Sequence, residues 1–325
     1  MAKSPNRPQP QTLDLLLPAT SANLGPAFDA AALAFKLFLK IQARPAKEFS
    51  IVARGRDAAL CGRLDNHLIL TTYREVLQAE GKPAQPLGLR LENQIPLGKG
   101  CGSSAAARLA GIALAVHFGG LPWTDGRIVG EASRREHHPD NAAACWLGGL
   151  VVARMASETE AQFIRVPARG KWPLLLAVPD GDLPTEEARR VLPAQYSRAD
   201  AVSNVQNSML LLAAFACGRH DLLGPALEDR FHQPYRAFLC PLLPSLQNMG
   251  NMPGILGVAL SGAGPSVLIF LDARAKVNLI RSKVQAYLED RGLDAELIQT
   301  AIEEKGASQS PDWRKAHPRL TRQRE

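Results

Sequence analysis

The sequence predicts an α+β protein built in two layered units, not an alternating parallel α/β sheet, and three observations lead there. Strand-like and helical segments follow one another irregularly, without a strict βαβ order. Gly257–Phe270 reads as two strands around a glycine turn. Between Leu87 and Phe118, a strand, a glycine-rich loop and an alanine-rich helix are contiguous. With 325 residues, 46% hydrophobic and 21% charged, the chain can bury one large core or two modest ones.

Leu13–Pro18 reads as the first strand and leads into Ala19-Thr-Ser-Ala-Asn-Leu-Gly-Pro-Ala-Phe-Asp29. Short strands near Leu37–Ala43 and Phe49–Ala53 precede a helix over His67–Ala79. Leu87, Leu89 and Leu91 alternate with Gly88, Arg90 and Glu92, the period of a half-buried strand. A second helix, Asp125–Arg135, then the turn Glu136–Asn141 and the apolar strand Leu150–Ala153 follow the glycine-loop helix. Polar residues at Glu158–Gln162 and Ala168–Lys171 mark a boundary. Beyond it, Leu174–Val178 reads as a buried strand, Ala201–Cys217 and Ala273–Arg291 as helices, and Glu296–Ile302 as a closing strand. The expected domains are therefore residues 12–168 and 169–302. Residues 1–11 and the basic segment 303–325 are expected to be disordered tails.

The net charge of +7 invites a nucleic-acid reading, but the tails carry it: Lys3 and Arg7 at one end, Arg314, Lys315, Arg319, Arg322 and Arg324 against Glu325 at the other. The body is left near neutral, which argues against a nucleic-acid surface. Five scattered cysteines without Cys-x-x-Cys spacing argue against a disulfide scaffold and a zinc site. No apolar run is long enough to span a bilayer, and the polar N-terminus does not read as a signal peptide, so a cytoplasmic protein without a membrane partner is expected.

Pro96, Leu97, Gly98, Lys99, Gly100, Cys101, Gly102, Ser103, Ser104, Ala105 and Ala106 form the glycine loop and the start of its helix. Three glycines allow an anion to approach the backbone, and the two serines can cap a helix whose free N–H groups and dipole favour phosphate. It is neither a Walker loop, since Lys99 precedes no hydroxyl, nor a dinucleotide fingerprint, since Ser103 stands at the third glycine position. Cys101 reads either as an activated thiol at a helix start or as a small apolar filler.

Five segments together resemble the GHMP kinases: the glycine loop, Ser21–Asp29, His138–Asn141 with Gly148-Gly149, Leu183–Arg189, and Leu260–Ser266. Within that superfamily they are similar to the homoserine kinase branch, over roughly Leu13 to Ile302. The resemblance implies a ribosomal-protein-S5-like nucleotide-binding domain followed by a ferredoxin-like α/β domain. It also implies ATP as co-substrate, Mg2+, and L-homoserine as acceptor, giving O-phospho-L-homoserine for threonine synthesis, with a homodimer left open.

The resemblance carries over to particular residues. Homoserine bears an ammonium, a carboxylate and a hydroxyl, so its site needs an anion, a cation and neutral hydrogen-bonding groups. Asp29 is the ammonium partner and Asn23 a bond to the hydroxyl or amine; read alone, Asp29 could instead cap a helix over Ala30–Leu39. Arg189 and Arg236 are the carboxylate clamps, a task for a planar guanidinium. Thr185, one turn before Arg189, is placed with it near the transferring phosphoryl, and His138 contacts the substrate. Glu131, with Ser103 or Ser104, is the expected magnesium ligand, and Glu136 is a competing acid. Asn141 stands where many GHMP kinases carry Asp; an amide accepts no proton, which leaves a phosphate oxygen to take it. Ala27, in place of a glycine of the usual pattern, is expected to add strain if that position needs a positive φ. Two other readings stay open: another small hydroxylated acceptor such as mevalonate, and a non-catalytic nucleotide sensor.

Overall fold

The computed structural model describes residues 12–318. The first sheet has six strands, β1 (Leu13–Asn23), β2 (Ala27–Pro45), β3 (Ser50–Gly55), β4 (Leu87–Asn93), β5 (Leu150–Met155) and β6 (Ala161–Val166). β2 is its spine: β1 runs antiparallel along one edge, Leu13 opposite Ala43 to Ala22 opposite Ala32. β4 and β5 share the other edge, pairing with Leu39–Pro45 and Ala31–Leu33. β3 adds parallel to β4, and β6 antiparallel to β5. Leu13, Leu15 and Leu17 alternate inward while Asp14 and Leu16 face out. That period of two is what a sheet covered on one face requires.

The helices of this half are α1 (Ala58–Cys61), α2 (Leu68–Ala79), α3 (Ser103–Gly119), α4 (Asp125–Glu136) and α5 (Asp140–Leu147). α3 is buried almost all round from Ala105 to Phe118, because α2, α4 and α5 flank it beside the sheet.

The second sheet is wholly antiparallel: β7 (Pro173–Val178), β8 (Ile255–Leu260), β9 (Val267–Leu271) and β10 (Glu296–Ala301), in the order β10-β7-β9-β8. Between β7 and β8 lie α6 (Thr185–Arg190), α7 (Arg198–Cys217), α8 (Leu223–Ala226), α9 (Gln233–Arg236) and α10 (Leu242–Gln247). α11 (Val277–Glu289) buries Ile280, Val284 and Leu288, a spacing of four that keeps one face on the core. None of the described helices is long and apolar enough to cross a membrane.

Several sequence expectations change. The strand expected over Leu37–Ala43 is the second half of the 19-residue β2, so Asp29 caps no helix. The turn expected at Glu136–Asn141 ends α4 at His137, whose φ is 69°, and starts α5 at Asp140. The polar stretch near Glu158–Gln162 continues into β6, an edge strand.

The largest correction concerns residues 303–318, which are not a solvated tail. Glu303 donates its N–H to Ala34 and accepts from Gly149. The Ser308 hydroxyl donates to the Trp146 carbonyl at 2.6 Å, Ser310 Oγ accepts from Leu16 N at 3.0 Å, and Trp313, on α12 (Pro311–Ala316), packs edge-on against Trp146. Trp313 is 1% exposed. This strap returns from the second sheet to seal the first. Residues 1–11 and 319–325, where the rest of the two tails was expected, lie outside the described residues.

Candidate active site

The glycine loop lies where the two sheets meet. Gly98, Gly100 and Gly102 all have positive φ, between 68° and 73°. A Cβ on Gly100 would collide with the Ser261 and Gly264 carbonyls, and one on Gly102 with the Thr20 hydroxyl, so glycine is required there for space as well as conformation. The loop is held from both sides. Thr20 N donates to the Cys101 carbonyl at 3.1 Å, and the Ser261 hydroxyl to the Gly100 carbonyl at 2.8 Å.

α3 begins at Ser103, so Gly102 occupies the cap position and the expected serine side-chain cap is not made. Ser104 instead donates to Glu136 Oε2 at 2.7 Å, and Arg108 pairs with Glu136 Oε1 at 2.5 Å. Lys99 bridges to Asp182 Oδ1 at 2.6 Å and to the Asp180 carbonyl, tying the loop to the segment before α6. Burial pushes the Cys101 thiol up to about 12, against a lowering by the Ser266 hydroxyl, so Cys101 is the apolar filler and not an activated thiol.

A cavity of about 220 Å³ opens beside this loop, and Asn23, Asp29, Ser103, Ser104, His138, Asn141, Thr185, Arg189 and Arg236 all line it. A larger apolar cleft of about 470 Å³ shares Ser103 and Ser104 with it and is walled by Leu60, Leu68, Ile95 and Leu97. Sequence reading named Leu97, Ser103 and Ser104 but missed this cleft, because its other walls come from the α1 region, the start of α2 and the end of β4 and share no motif. A still larger groove, about 630 Å³, lies on the outer face of the first sheet and contains none of these residues.

Within the small cavity the charges are arranged in opposition. Arg189 clamps Asp29 through two bonds, 2.7 and 3.1 Å. Arg236, 1% exposed, donates from Nε to the Ala188 carbonyl at 2.9 Å. Its guanidinium pKa falls to about 10, from burial first and the Arg189 charge second, and it stays protonated at neutral pH. Across from them, His138 Nδ1 lies 2.6 Å from Asp140 Oδ1, which also accepts from Asn141 N. Burial alone would lower the His138 pKa, but the bond to Asp140 and the charges of Asp140, Asp29 and Glu136 raise it. Asp29, His138 and Asp140 each place a potential ligand atom within 4.8 Å of the others, so two carboxylates stand close together here.

Some predicted residues have structural duties as well. Asn23, with φ 71°, accepts from Asp29 N at 3.0 Å and donates to the Gly262 carbonyl at 2.9 Å, which fixes the turn carrying Phe28 and Asp29. Asn141 Oδ1 accepts from the Thr20 hydroxyl at 2.7 Å, which turns its amide into a donor toward the cavity. The strain expected at Ala27 does not arise: positive φ falls on Asn23, Leu24, Gly25 and Asp29 instead. Thr185 opens α6 at the cavity rim, one turn before Arg189.

Glu131 is corrected. Five residues apart on a helix, it and Glu136 point about 140° from one another. Glu136 reaches the cavity, whereas Glu131 is held by Arg134 at 2.8 Å and by Arg135. Burial would raise the Glu131 carboxyl, but those two arginines hold it below the usual carboxylate range. It is a structural anion, and Glu136 is the acid at the loop.

Residues 67–149 match the GHMP kinases N terminal domain, and residues 211–290 the GHMP kinases C terminal domain. The homoserine kinase of Solibacter usitatus is 46% identical over 258 residues, 79% of this chain and 84% of that protein. The homoserine kinase of Deinococcus radiodurans is 34% identical over 93% of this chain and 97% of its own length. The chain belongs to the homoserine kinase family of GHMP kinases. Among solved structures, the homoserine kinase of Cytophaga hutchinsonii superposes with a TM-score of 0.77 at 22% identity, covering 94% of this chain and 98% of that one. A putative homoserine kinase of Listeria monocytogenes gives 0.70 at 27%, covering 90% and 97%. The fold is thus the two-domain GHMP kinase fold, and the chain is an ATP-dependent small-molecule kinase.

Proposed function

We propose that the chain transfers the γ-phosphoryl of ATP to the side-chain hydroxyl of L-homoserine, giving ADP and O-phospho-L-homoserine for threonine synthesis. One observation carries this reading: the 220 Å³ cavity beside the glycine loop sets Arg189 and Arg236 against Asp29, His138 and Asp140. A zwitterion carrying a hydroxyl complements that pattern, its carboxylate toward the arginines and its ammonium toward the acids. Mevalonate has no ammonium to set against these acids.

The triphosphate lies over the start of α3, where the backbone N–H groups and the dipole favour it, with Lys99 beside it. The base enters the apolar cleft walled by Leu60, Leu68, Ile95 and Leu97. Glu136 and the Ser104 hydroxyl, already 2.7 Å apart, are a hard-oxygen donor pair of the kind magnesium takes, and they would hold it together with phosphate oxygens and water. Bound there, the ion would neutralise phosphate charge.

The homoserine oxygen bonds to the γ-phosphorus as the bond from that phosphorus to ADP breaks. Arg189 and Thr185 face the transferring group from α6, and the Asn141 amide orients the attacking hydroxyl. The hydroxyl proton passes to a phosphate oxygen, because Asn141 has no basic atom; Asp140, with Oδ1 engaged by His138 and Asn141 N but the buried Oδ2 unpartnered, is the competing base.

The deciding experiment is ADP release with ATP, magnesium and a panel of acceptors. Turnover with homoserine and none with mevalonate is expected. Turnover only with another alcohol would overturn the acceptor, and none with any would favour a sensor. Asp140→Asn, with both substrates still bound, is expected to retain turnover; its loss would make Asp140 the base.

A further inference from the structure

His232 does not line the cavity, yet it joins two groups that do and that shape the acceptor side. It is 0% exposed. Its Nδ1 lies 3.1 Å from Arg236 Nη1, and its Nε2 lies 2.8 Å from the Gly25 carbonyl. A guanidinium only donates, so Nδ1 accepts; the ring is then neutral and its Nε2–H donates to Gly25. The ring also stacks on Phe28, with centroids 5.4 Å apart. Phe28 in turn lies 5.5 Å beneath both the Arg189 and Arg236 guanidinium carbons. Asp229 fixes the backbone here, accepting from the N–H groups of Phe231, His232 and Gln233 between 2.6 and 2.9 Å.

We infer that His232 is the positioning residue that sets the Arg236 guanidinium against the turn bearing Phe28 and Asp29, so that the carboxylate and ammonium subsites keep a fixed separation. Arg236 spends Nε on Ala188 and Nη1 on His232, which leaves Nη2 for an incoming carboxylate. Without an acceptor at Nδ1, Nη1 keeps only a long 3.4 Å bond to the Gly262 carbonyl, and the guanidinium, still tied through Nε to Ala188, loses the short bond that fixes its Nη side. The inference rests on the functional reading that places the homoserine carboxylate at Arg236.

The test compares His232→Asn, whose amide oxygen replaces Nδ1, with His232→Gln, whose amide nitrogen replaces Nε2, and with His232→Leu, which replaces neither. Steady-state kinetics are measured with homoserine and with 3-aminopropan-1-ol, which is homoserine without its carboxylate. Loss of a bond to a charged group predicts a KM for homoserine about 10-fold higher in the Gln and Leu variants, with KM for ATP within about 2-fold of wild type. His232→Asn is expected to stay near wild type, and the preference for homoserine over 3-aminopropan-1-ol to shrink only in the other two. Asn and Gln variants that behave alike, or KM values for both substrates rising together, would overturn the positioning role; that comparison holds even if the Leu variant does not fold. A wild-type chain that releases no ADP with homoserine would overturn the functional reading, and the inference with it. Wild-type turnover with an unmoved homoserine KM in the Gln variant would overturn the inference alone.

Discussion

On the donor side, Gly98, Gly100 and Gly102 shape a single short loop whose recognition groups are main-chain atoms and a helix start. On the acceptor side, Asp29, His138, Arg189 and Arg236 come from β2, the loop before α5, α6 and α9, and their recognition groups are formal charges. The donor side depends on backbone conformation, which needs a few residues of one type and tolerates filler such as Cys101. The acceptor side depends on balanced charge held by second partners, so each of its residues has a neighbour that matters nearly as much. The same triphosphate chemistry can therefore persist in a superfamily while the acceptor changes.

Arg189→Ala should separate the halves most sharply. It removes a charge from the transferring group and leaves Asp29 without its clamp, so kcat should fall about 10³-fold. A change confined to the homoserine KM in steady-state assays would show that Arg189 only binds. Glu136→Gln, on the boundary between the halves, should lower kcat about 10²-fold and raise the magnesium concentration needed for half-maximal rate. Glu131→Gln should leave both within about 3-fold and cost stability instead, through its buried arginine contacts. Reversal of that order in a magnesium titration would restore Glu131 as the ligand. Gly100→Ala should raise the KM for ATP about 10-fold, with a smaller change for homoserine, because its Cβ displaces the loop backbone.

The smallest expected effect is on the pH dependence of folding, and it arises within the acceptor side alone. His232 has its pKa lowered to about 4, chiefly by burial, with Arg236 adding to the lowering and Asp229 opposing it. Its neutral form is the one the fold favours. That contribution is complete above pH 6.5 and is lost as pH falls from 6.5 toward 4. His138 behaves oppositely: its raised pKa contributes below pH 6.5 and is lost as pH rises through the folded value. Melting temperature measured against pH should therefore lose its acid limb in His232→Asn and flatten on the alkaline side in His138→Gln. Unchanged profiles in both would show that the acceptor side is less strained electrostatically than its geometry indicates.

The donor side was legible because its physics is local. A glycine at every second position, two hydroxyls and an alanine-rich run describe a helix start whatever surrounds it. The acceptor residues were nameable through resemblance, but not their pairings. Nothing in the letters says that Asp29 meets Arg189, 160 positions away, or that Asn141 spends its oxygen on Thr20. Glu131 and Glu136 differ only in which side of α4 they face, and the sequence names both without ranking them by that side. The first two residues of α5 read as the end of a turn because Pro139 and Asp140 look like turn chemistry; burial of Ala142–Trp146 overrides that preference. β6 is polar on its exposed edge and carries little alternation. The strap at 303–318 was read as tail because its charge is spread along the chain, while its anchors, Ala307, Ser308 and Trp313, are isolated letters.

That strap has a consequence for how the molecule is made. The first sheet and α5 emerge early from the ribosome, but the aromatic contact and hydrogen bond that close over Trp146 arrive with Ser308 and Trp313. At ordinary synthesis rates, the interval between those segments is roughly 10–30 s. During that time the nascent first domain holds an uncovered tryptophan at the back of the helix whose front carries Asn141. The half of the protein translated first is thus finished last, and premature termination within the second half would leave the nucleotide-binding half unsealed.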